Sequence, residues 1–205
     1  MSSRKLFIFF ILFLICSGFI YKENRDPVYM AKWVVMKGGS LRVKGSTNIN
    51  KFTCEIKDYS KPDTIVVYKS KGDKDVLPLN GDLNLDIRGF DCFNPVMTAD
   101  LRKTLKAKEY PNLVIRFLTL SKFPLPGQKQ DIIKGLVDIE LSGVKRRFEV
   151  NYKFTADERQ TMRMVGERDI SFSDFKLVPP RKLGGMIQTD DKLSVEFQLI
   201  LKTQN

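Results

Sequence analysis

The chain has 205 residues, 42% of them apolar and 29% charged, which is ordinary globular composition and fits one domain. It contains no histidine, and this excludes Ser-His-Asp and Cys-His catalytic machinery as well as histidine-ligated metal sites. No G-x-S-x-G or P-loop sequence occurs either. The composition therefore favours a protein that binds over one that catalyses.

The net charge of +11 comes from 35 Lys and Arg against 24 Asp and Glu. Most basic residues alternate with apolar ones, which is typical of a solvated outer face. The charge also fits peripheral contact with an anionic membrane or envelope polymer. Nucleic acid is not expected as a partner, because no aromatic and basic platform motif occurs and the N-terminus predicts export.

Residues 1–20 predict export to the periplasm or the exterior. Arg4 and Lys5 precede an apolar run, and Cys16-Ser17-Gly18 supplies small residues near a cleavage point, as in a secretory signal peptide. Two alternatives stay open. The segment is retained as an N-terminal anchor, or Cys16 carries a lipid, although Ile15 is larger than the residue that lipidation normally requires before the cysteine.

A linker is expected at residues 21–29, and one folded domain at residues 30–203, where apolar and polar residues alternate. This period of two predicts half-buried antiparallel strands, because successive side chains of a strand point to opposite faces. Ser142-Gly143 lies between two such segments and predicts a tight hairpin. Strands connected in this way predict an all-β sandwich or closed barrel. The clearest segments are Leu41–Gly45, Lys51–Lys57, Leu83–Arg88, Val137–Leu141, Phe148–Phe154 and Leu193–Leu201.

One segment predicts a helix of about three turns over an end of the sheet. Asn94-Pro95 combines an N-cap residue with proline at the first helical position. Met97, Leu101 and Leu105 then recur every four residues and form one apolar stripe. The helix is expected to end at Tyr110-Pro111, because the residue before proline avoids helical geometry.

Cys54 and Cys92 have two interpretations, between which the sequence does not decide. An oxidising compartment permits a disulfide between them, which would contribute about 4 kcal/mol in the chain-entropy model. Alternatively, Cys54 shares a face with Phe52 and Ile56 and is a buried free thiol.

Two pairs of adjacent carboxylates remain as candidate catalytic groups, Asp157-Glu158 and Asp190-Asp191. Both pairs lie at expected turns, where solvated carboxylates are usual. A carboxylate-based hydrolase is the minor alternative, and no pair is nominated for it.

Four motifs, in order along residues 40–202, together resemble the YceI-like family. The run from Gly45 to Phe52 resembles the early signature G-T-S-x-V-H-x-F. The helix followed by Tyr110-Pro111 and Phe117 resembles L-x-x-x-x-Y-P-x-I-x-F. The stretch 133–145 resembles G-x-L-T-I-x-G-V-T-K, and Ser173-Asp174-Phe175 with the later Gly184-Gly185 resembles a D-F-G-I element.

The resemblance implies an extended antiparallel barrel of about eight strands, lipocalin-like in shape, with one short helix over an end. It also implies an elongated apolar pocket for a polyisoprenoid chain, such as an isoprenoid quinone or related lipid, and no other cofactor. The sequence departs from the family at Asn50 and Ser142, where histidines are common, so this chain lacks any ligand contact that those histidines make.

The inward positions of such a barrel either fill its interior or leave room for one small ligand. We nominate ten of them for ligand binding, each with ordinary core packing as the alternative. A buried Tyr152 hydroxyl needs a partner, which a quinone carbonyl or a backbone carbonyl would provide. Arg146, near the hairpin turn, is either a ligand-headgroup contact or a solvated arginine. The ten residues are Phe52, Phe117, Ile139, Arg146, Phe148, Val150, Tyr152, Val195, Phe197 and Leu199.

Two functions follow from the sequence. The first is an exported lipid-binding protein that holds an apolar, isoprenoid-type ligand in a barrel cavity. The second is a ligand-free barrel that acts through its basic outer surface in envelope interaction or stress protection. The oligomeric state is left open.

Overall fold

The computed structural model of this protein describes residues 29–70, 76–125, 132–156 and 161–204. The predicted signal segment at 1–20, residues 21–28 of the predicted linker and the Asp157-Glu158 pair lie outside the described residues. Within the described part of the chain, no helix is both long and apolar enough to cross a bilayer.

Eight antiparallel strands close into a barrel, which confirms the fold class predicted from the sequence. The strands are β1 (Tyr29–Ser46), β2 (Lys51–Tyr59), β3 (Thr64–Tyr68), β4 (Leu77–Asp86), β5 (Asn112–Leu120), β6 (Ile133–Leu141), β7 (Val144–Ala156), β8 (Thr161–Ser171), β9 (Arg181–Lys182), β10 (Ile187–Gln188) and β11 (Lys192–Gln204). The sheet runs in the order β11-β8-β7-β6-β5-β4-β3-β1, and β1 pairs with β11 to close it.

The long strand β1 pairs with two different strands along its length. Its first half pairs with β3 and its second half, from Gly39 to Ser46, pairs with β2. The register shifts around the start of this second half, between Met36 and Ser40 against β11 and between Gly39 and Leu41 against β2, so β1 bends as it changes partner. Strand β2 therefore lies outside the eight-stranded ring and extends it at one end.

The one α-helix of the described residues, α1 (Pro95–Thr104), begins where the sequence predicted. The Asn94 side chain accepts a hydrogen bond from the backbone N–H of Met97 at 3.0 Å, so it caps the first turn. The helix ends earlier than the expected Tyr110-Pro111. Lys106 takes a positive φ of 52°, and the N–H groups of Lys106 and Ala107 bond to the carbonyls of Lys103 and Arg102. This Schellman motif ends the helix several residues before Pro111.

The predicted hairpin at Ser142-Gly143 is present, and it also anchors the end of the helical segment. Both residues have positive φ values, 52° and 75°, as a two-residue hairpin turn of matching twist requires. The Ser142 hydroxyl donates to the Leu105 carbonyl oxygen at 2.8 Å. A side chain at position 143 would approach the Tyr110 ring to 2.7 Å, so this turn leaves room only for glycine.

The outer face of the barrel carries ion pairs between neighbouring strands. Asp138 is the most buried of their carboxylates and contacts both Arg147 at 2.8 Å and Lys145 at 3.1 Å. Hydrogen bonding to the Arg147 guanidinium is the main cause that lowers the pKa of Asp138 to about 2. The outward-facing polar residues of the alternating pattern thus help to hold strands β6 and β7 together.

Candidate functional site

One half of the barrel interior combines packed aromatic rings with fully buried aliphatic side chains such as Ile65 and Ile133. Six rings form a continuous series in which each centroid lies 5.9–6.1 Å from the next. Such separations are those of favourable aromatic pairs, and they leave no space for a ligand between the rings. We call this region the aromatic half; its rings, in order of contact, are Phe117, Phe197, Tyr152, Phe154, Trp33 and Phe123.

A glycine makes this filling possible. Gly166 on β8 faces Phe197 of β11 and Tyr152 of β7 in the strand register. A Cβ atom at position 166 would lie 2.4 Å from the Phe197 ring. The absent side chain therefore gives the aromatic ring its place inside the barrel.

The other half of the interior, under α1, contains an apolar cavity of about 60 Å³. We call it the inner cavity and the region around it the helix half. The barrel contributes mainly branched aliphatic side chains, among them Val43, Ile115, Ile139 and Val195. The cover comes from the helical segment and the β8–β11 connection, through Phe90, Leu101, Leu105, Phe172, Phe175 and Leu177.

The boundary between the two halves falls between neighbouring inward positions of the same strands. On β5, Ile115 lines the inner cavity, whereas Phe117, two residues on, belongs to the aromatic series. On β11 the same step separates Val195 from Phe197. A branched aliphatic side chain is shorter than a phenyl ring, and the space left at that level is the cavity.

A second, larger apolar depression of about 370 Å³ lies outside the inner cavity and opens to solvent. We call it the vestibule. It shares two lining residues, Leu101 and Phe172, with the inner cavity, so these two side chains separate one space from the other. The remaining apolar lining is Ile49, Phe52, Val96, Met97, Leu183 and Ile187, with Cys54 and Pro180.

Polar groups of the vestibule lie among these apolar side chains. Lys182 forms an ion pair with Asp100, and both line the vestibule. Asn50 bonds through its side-chain oxygen to the Thr47 hydroxyl at 2.7 Å. The vestibule thus offers an apolar surface with a few oriented polar groups, which is the usual character of small-molecule sites. Among the described residues, no cluster of three or more Cys, Asp or Glu side chains could hold a metal ion.

The cover over the inner cavity is tied to β2 by covalent and hydrogen bonds. Cys54 on β2 and Cys92, just before α1, form a disulfide. Next to it, Glu55 and Asp91 exchange two backbone hydrogen bonds of 2.9 Å. The Arg102 guanidinium donates to the Phe90 carbonyl oxygen at 2.8 Å and braces the segment from within. These bonds hold Phe90 and Leu101 over the barrel opening.

The structure divides the ten residues nominated from the sequence. Ile139 and Val195 line the inner cavity, and Phe52 lines the vestibule. The others line neither space. Phe117, Tyr152 and Phe197 belong to the aromatic series, while Phe148, Val150 and Leu199 are buried in the core. Arg146 is exposed at the rim, where its Nε donates to the Asp174 carbonyl oxygen at 2.8 Å.

Tyr152 is fully buried, and its hydroxyl forms no hydrogen bond within the described part of the chain. Burial raises the pKa of this phenol, so it stays protonated and keeps a donor that is not used. The hydroxyl lies in the aromatic half and outside both apolar spaces. It is an unsatisfied polar group in the core, which costs stability.

Sequence reasoning missed most residues of the cover and the vestibule. Phe172, Leu177, Leu183 and Ile187 lie in the connection between β8 and β11, where no periodicity marks them. The apolar stripe of the helix did carry a signal, because Met97, Leu101 and Leu105 face the two spaces. An apolar helix face over the end of a barrel predicts a cover, but periodicity does not say whether it rests on a solid core.

Comparison with known proteins gives matches only among solved structures; no protein-family model and no curated protein matches the sequence. A polyisoprenoid-binding domain from Saccharophagus degradans, implicated in plant cell wall breakdown, matches with a TM-score of 0.59 and 11% identity, over 84% of this chain and 98% of that one. BcnA of Burkholderia cenocepacia matches with a TM-score of 0.53 and 13% identity, over 79% and 95%.

A YceI protein of Campylobacter jejuni matches with a TM-score of 0.48 and 14% identity, over 71% of this chain and 82% of that one. Identities this low speak for the fold alone. The eight-stranded barrel, its helix and its likeness to the first two structures agree with the motifs in the sequence. This chain therefore shares its fold with the polyisoprenoid-binding domain and with BcnA, and the barrel that the sequence motifs implied is confirmed.

Proposed function

We propose that this protein binds an apolar or amphiphilic lipid, of isoprenoid type, at the helix half of the barrel. The apolar part of the ligand enters the inner cavity past Leu101 and Phe172, and its more polar end stays in the vestibule near Lys182 and Asn50. The observation that carries the proposal is the pair of adjoining apolar spaces that share these two separating side chains.

The volumes decide how much of a ligand each space accommodates. An apolar cavity of roughly 150 Å³ is needed to admit benzene, so 60 Å³ takes only the tip of a hydrocarbon chain. Ligand pockets generally measure roughly 300–1,000 Å³, and the vestibule at about 370 Å³ falls within that range. The vestibule is therefore the main contact area, and a longer chain enters further only if the cover moves outward.

Support for an isoprenoid comes from two sources. The sequence motifs resemble a family that holds polyisoprenoid chains, and one of the similar structures is a polyisoprenoid-binding domain. Export belongs to the same proposal and rests on the signal-peptide pattern of residues 1–20. N-terminal sequencing of the protein recovered from cells tests it, since cleavage after the apolar run is expected.

The binding test uses the fluorescent apolar probe N-phenyl-1-naphthylamine, with a polyprenol as competitor. Ile139→Asp places a carboxylate against the inner cavity and is expected to lower the affinity for the polyprenol at least tenfold, measured by displacement of the probe. Ile200→Asp is the matched control, because Ile200 is also half-buried but lies on the outward face of β11. Equal affinity of the two variants would contradict the proposed site.

Organic extraction of the protein purified from its host, followed by mass spectrometry, tests the ligand class. A stoichiometric isoprenoid lipid is expected. A clean extract together with no polyprenol competition would favour the ligand-free barrel that acts through its outer surface.

A further inference from the structure

In the described part of the chain, the most exposed apolar side chains lie at one end of the barrel, whereas the most exposed at the other end are Leu125 (57%) and Ile132 (52%). Among the described residues, every large apolar side chain that is more than 60% exposed lies in a connection at the end covered by α1. Three of the six, Ile49, Val96 and Leu183, also line the vestibule. The six residues and their exposures are Ile49 (65%), Phe93 (62%), Val96 (63%), Val178 (75%), Leu183 (67%) and Met186 (70%).

These connections are held to one another, so the apolar residues form one rim. The Asn48 side-chain amide donates to the Met186 carbonyl oxygen at 2.9 Å, and its oxygen accepts from the Gln188 N–H at 3.0 Å. The Lys182–Asp100 ion pair joins the same connection to α1. We call this set of six exposed apolar residues the apolar rim; three of its members line the vestibule.

Positive charge accompanies the apolar rim. Residues 47–51, 87–111 and 172–191 carry nine Lys and Arg against six Asp and Glu. Of the acids, Asp91, Asp174, Asp190 and Asp191 accept hydrogen bonds from their own connections or from β1 and β8. These acids hold the connections together. Lys182 and Arg102 are also bound within the connections, to Asp100 and to the Phe90 carbonyl oxygen, whereas the other seven cations are exposed to solvent.

Several of these cations are free to contact a partner. Lys51, Lys176 and Arg181 are exposed, flank the apolar rim in sequence and form no ion pair with a described residue. Lys57, which pairs with Glu55 at 3.0 Å and so is not one of the free cations, lies over the exposed Phe93 ring with its Nζ 4.8 Å from the centroid. Exposed apolar side chains interleaved with free cations match the interface of an anionic bilayer, in which acyl chains lie beneath phosphate groups.

We propose that the apolar rim docks onto an anionic lipid bilayer, with Ile49, Leu183 and Met186 inserted among the lipid headgroups and Lys51, Lys176 and Arg181 against the phosphates. The opening of the vestibule then faces the bilayer. Docking requires only the rim and its charge, so it stands independently of whether the inner cavity holds a ligand.

The test places single tryptophans at the two ends of the barrel. Leu183→Trp lies in the apolar rim, and Ile132→Trp, the matched control, lies just before β6 at the opposite end. The purified protein is mixed with vesicles of phosphatidylcholine and phosphatidylglycerol whose acyl chains are brominated, so that nearby tryptophan emission is quenched. The native Trp33 is buried in the aromatic half and supplies a constant background.

We expect at least twofold quenching of the Leu183→Trp signal, unchanged Ile132→Trp emission, and loss of quenching in pure phosphatidylcholine. Because quenching reports the position of each tryptophan, the result is valid even if the N-terminal segment also contacts the vesicles. Each lysine at an anionic surface contributes roughly fivefold to affinity. Lys51→Gln with Lys176→Gln is therefore expected to raise the half-maximal lipid concentration about 25-fold.

The matched charge control is Lys32→Gln with Lys69→Gln, two exposed lysines distant from the rim, for which no such change is expected. Equal quenching of Leu183→Trp and Ile132→Trp, or quenching that does not depend on phosphatidylglycerol, would overturn the proposal. So would a dimer of the purified protein that Leu183→Asp dissociates, because a second copy would then cover the rim. The vesicle measurement needs no ligand and the probe measurement needs no vesicles, so either proposal can fail alone.

Discussion

The aromatic half and the helix half of this barrel are built from the same eight strands, yet one is solid and the other is hollow. In the aromatic half, Trp33, Phe154 and Tyr152 are at most 1% exposed and contact further rings on both sides. In the helix half, Val195 and Ile139 occupy equivalent inward positions and border an empty space. Side-chain size at successive levels of the barrel decides which half can admit a ligand.

The two halves of the barrel also differ in the interactions that stabilise them. The aromatic half is stabilised by dense packing of large side chains, which contribute most of the free energy of a core. The helix half has less packing, and its cover is held by the Cys54–Cys92 disulfide and by backbone bonds between Glu55 and Asp91. Removing a ring from one half and a covalent bond from the other should therefore have distinguishable effects.

The largest expected effect is that of Trp33→Ala. The side chain is almost fully buried and contacts Phe123 and Phe154, so its removal leaves a large cavity in the aromatic half. We expect the free energy of unfolding to fall by about 5 kcal/mol, measured by urea denaturation. Affinity for N-phenyl-1-naphthylamine under native conditions should stay the same. A drop in probe affinity of tenfold or more would show that the two halves are not independent.

The disulfide should matter almost as much, and in the other half. Cys54→Ala with Cys92→Ala removes a link across 38 residues of sequence separation and is expected to cost about 4 kcal/mol in the chain-entropy model. Amide hydrogen exchange should rise selectively in residues 90–105, because the bond fixes the cover to β2. Uniform exchange across all strands would indicate instead that the disulfide stabilises the whole barrel.

Much of the fold was predictable, because each strand shows its period-two face and the helix its cap and stripe. Closure of the barrel was predictable from the family motifs rather than from alternation alone. The position of each residue along the barrel axis could not be predicted. Val195 and Phe197 share a face of β11, and the sequence nominated both as residues that line a ligand pocket. Only the strand register shows that one borders the cavity and that the other fills the space beside Gly166.

A pair of identical substitutions sharpens that distinction with a moderate effect. Val150→Leu adds a methylene to a packed position that is 1% exposed, and overpacking should cost about 2 kcal/mol of unfolding free energy. Val195→Leu adds the same methylene beside the inner cavity and should change stability by less than about 0.5 kcal/mol. The second variant should bind the polyprenol competitor more weakly, because the added group occupies part of the 60 Å³ that the tip of the chain enters. Equal destabilisation by both would mean that the inner cavity is not available space.

The smallest predicted effect concerns a polar side-chain atom that is buried in the aromatic half. The Tyr152 hydroxyl is buried without a hydrogen-bond partner in the described structure, and its removal relieves an unmet desolvation cost. Tyr152→Phe should raise the free energy of unfolding by about 1 kcal/mol and leave probe affinity unchanged, since the ring still contacts Phe197 and Phe154. The contrary result is equally informative. If Tyr152→Phe weakened competition by an isoprenoid quinone but not by a polyprenol, the hydroxyl would be the partner of a quinone carbonyl, and the ligand would reach past the inner cavity into the rings.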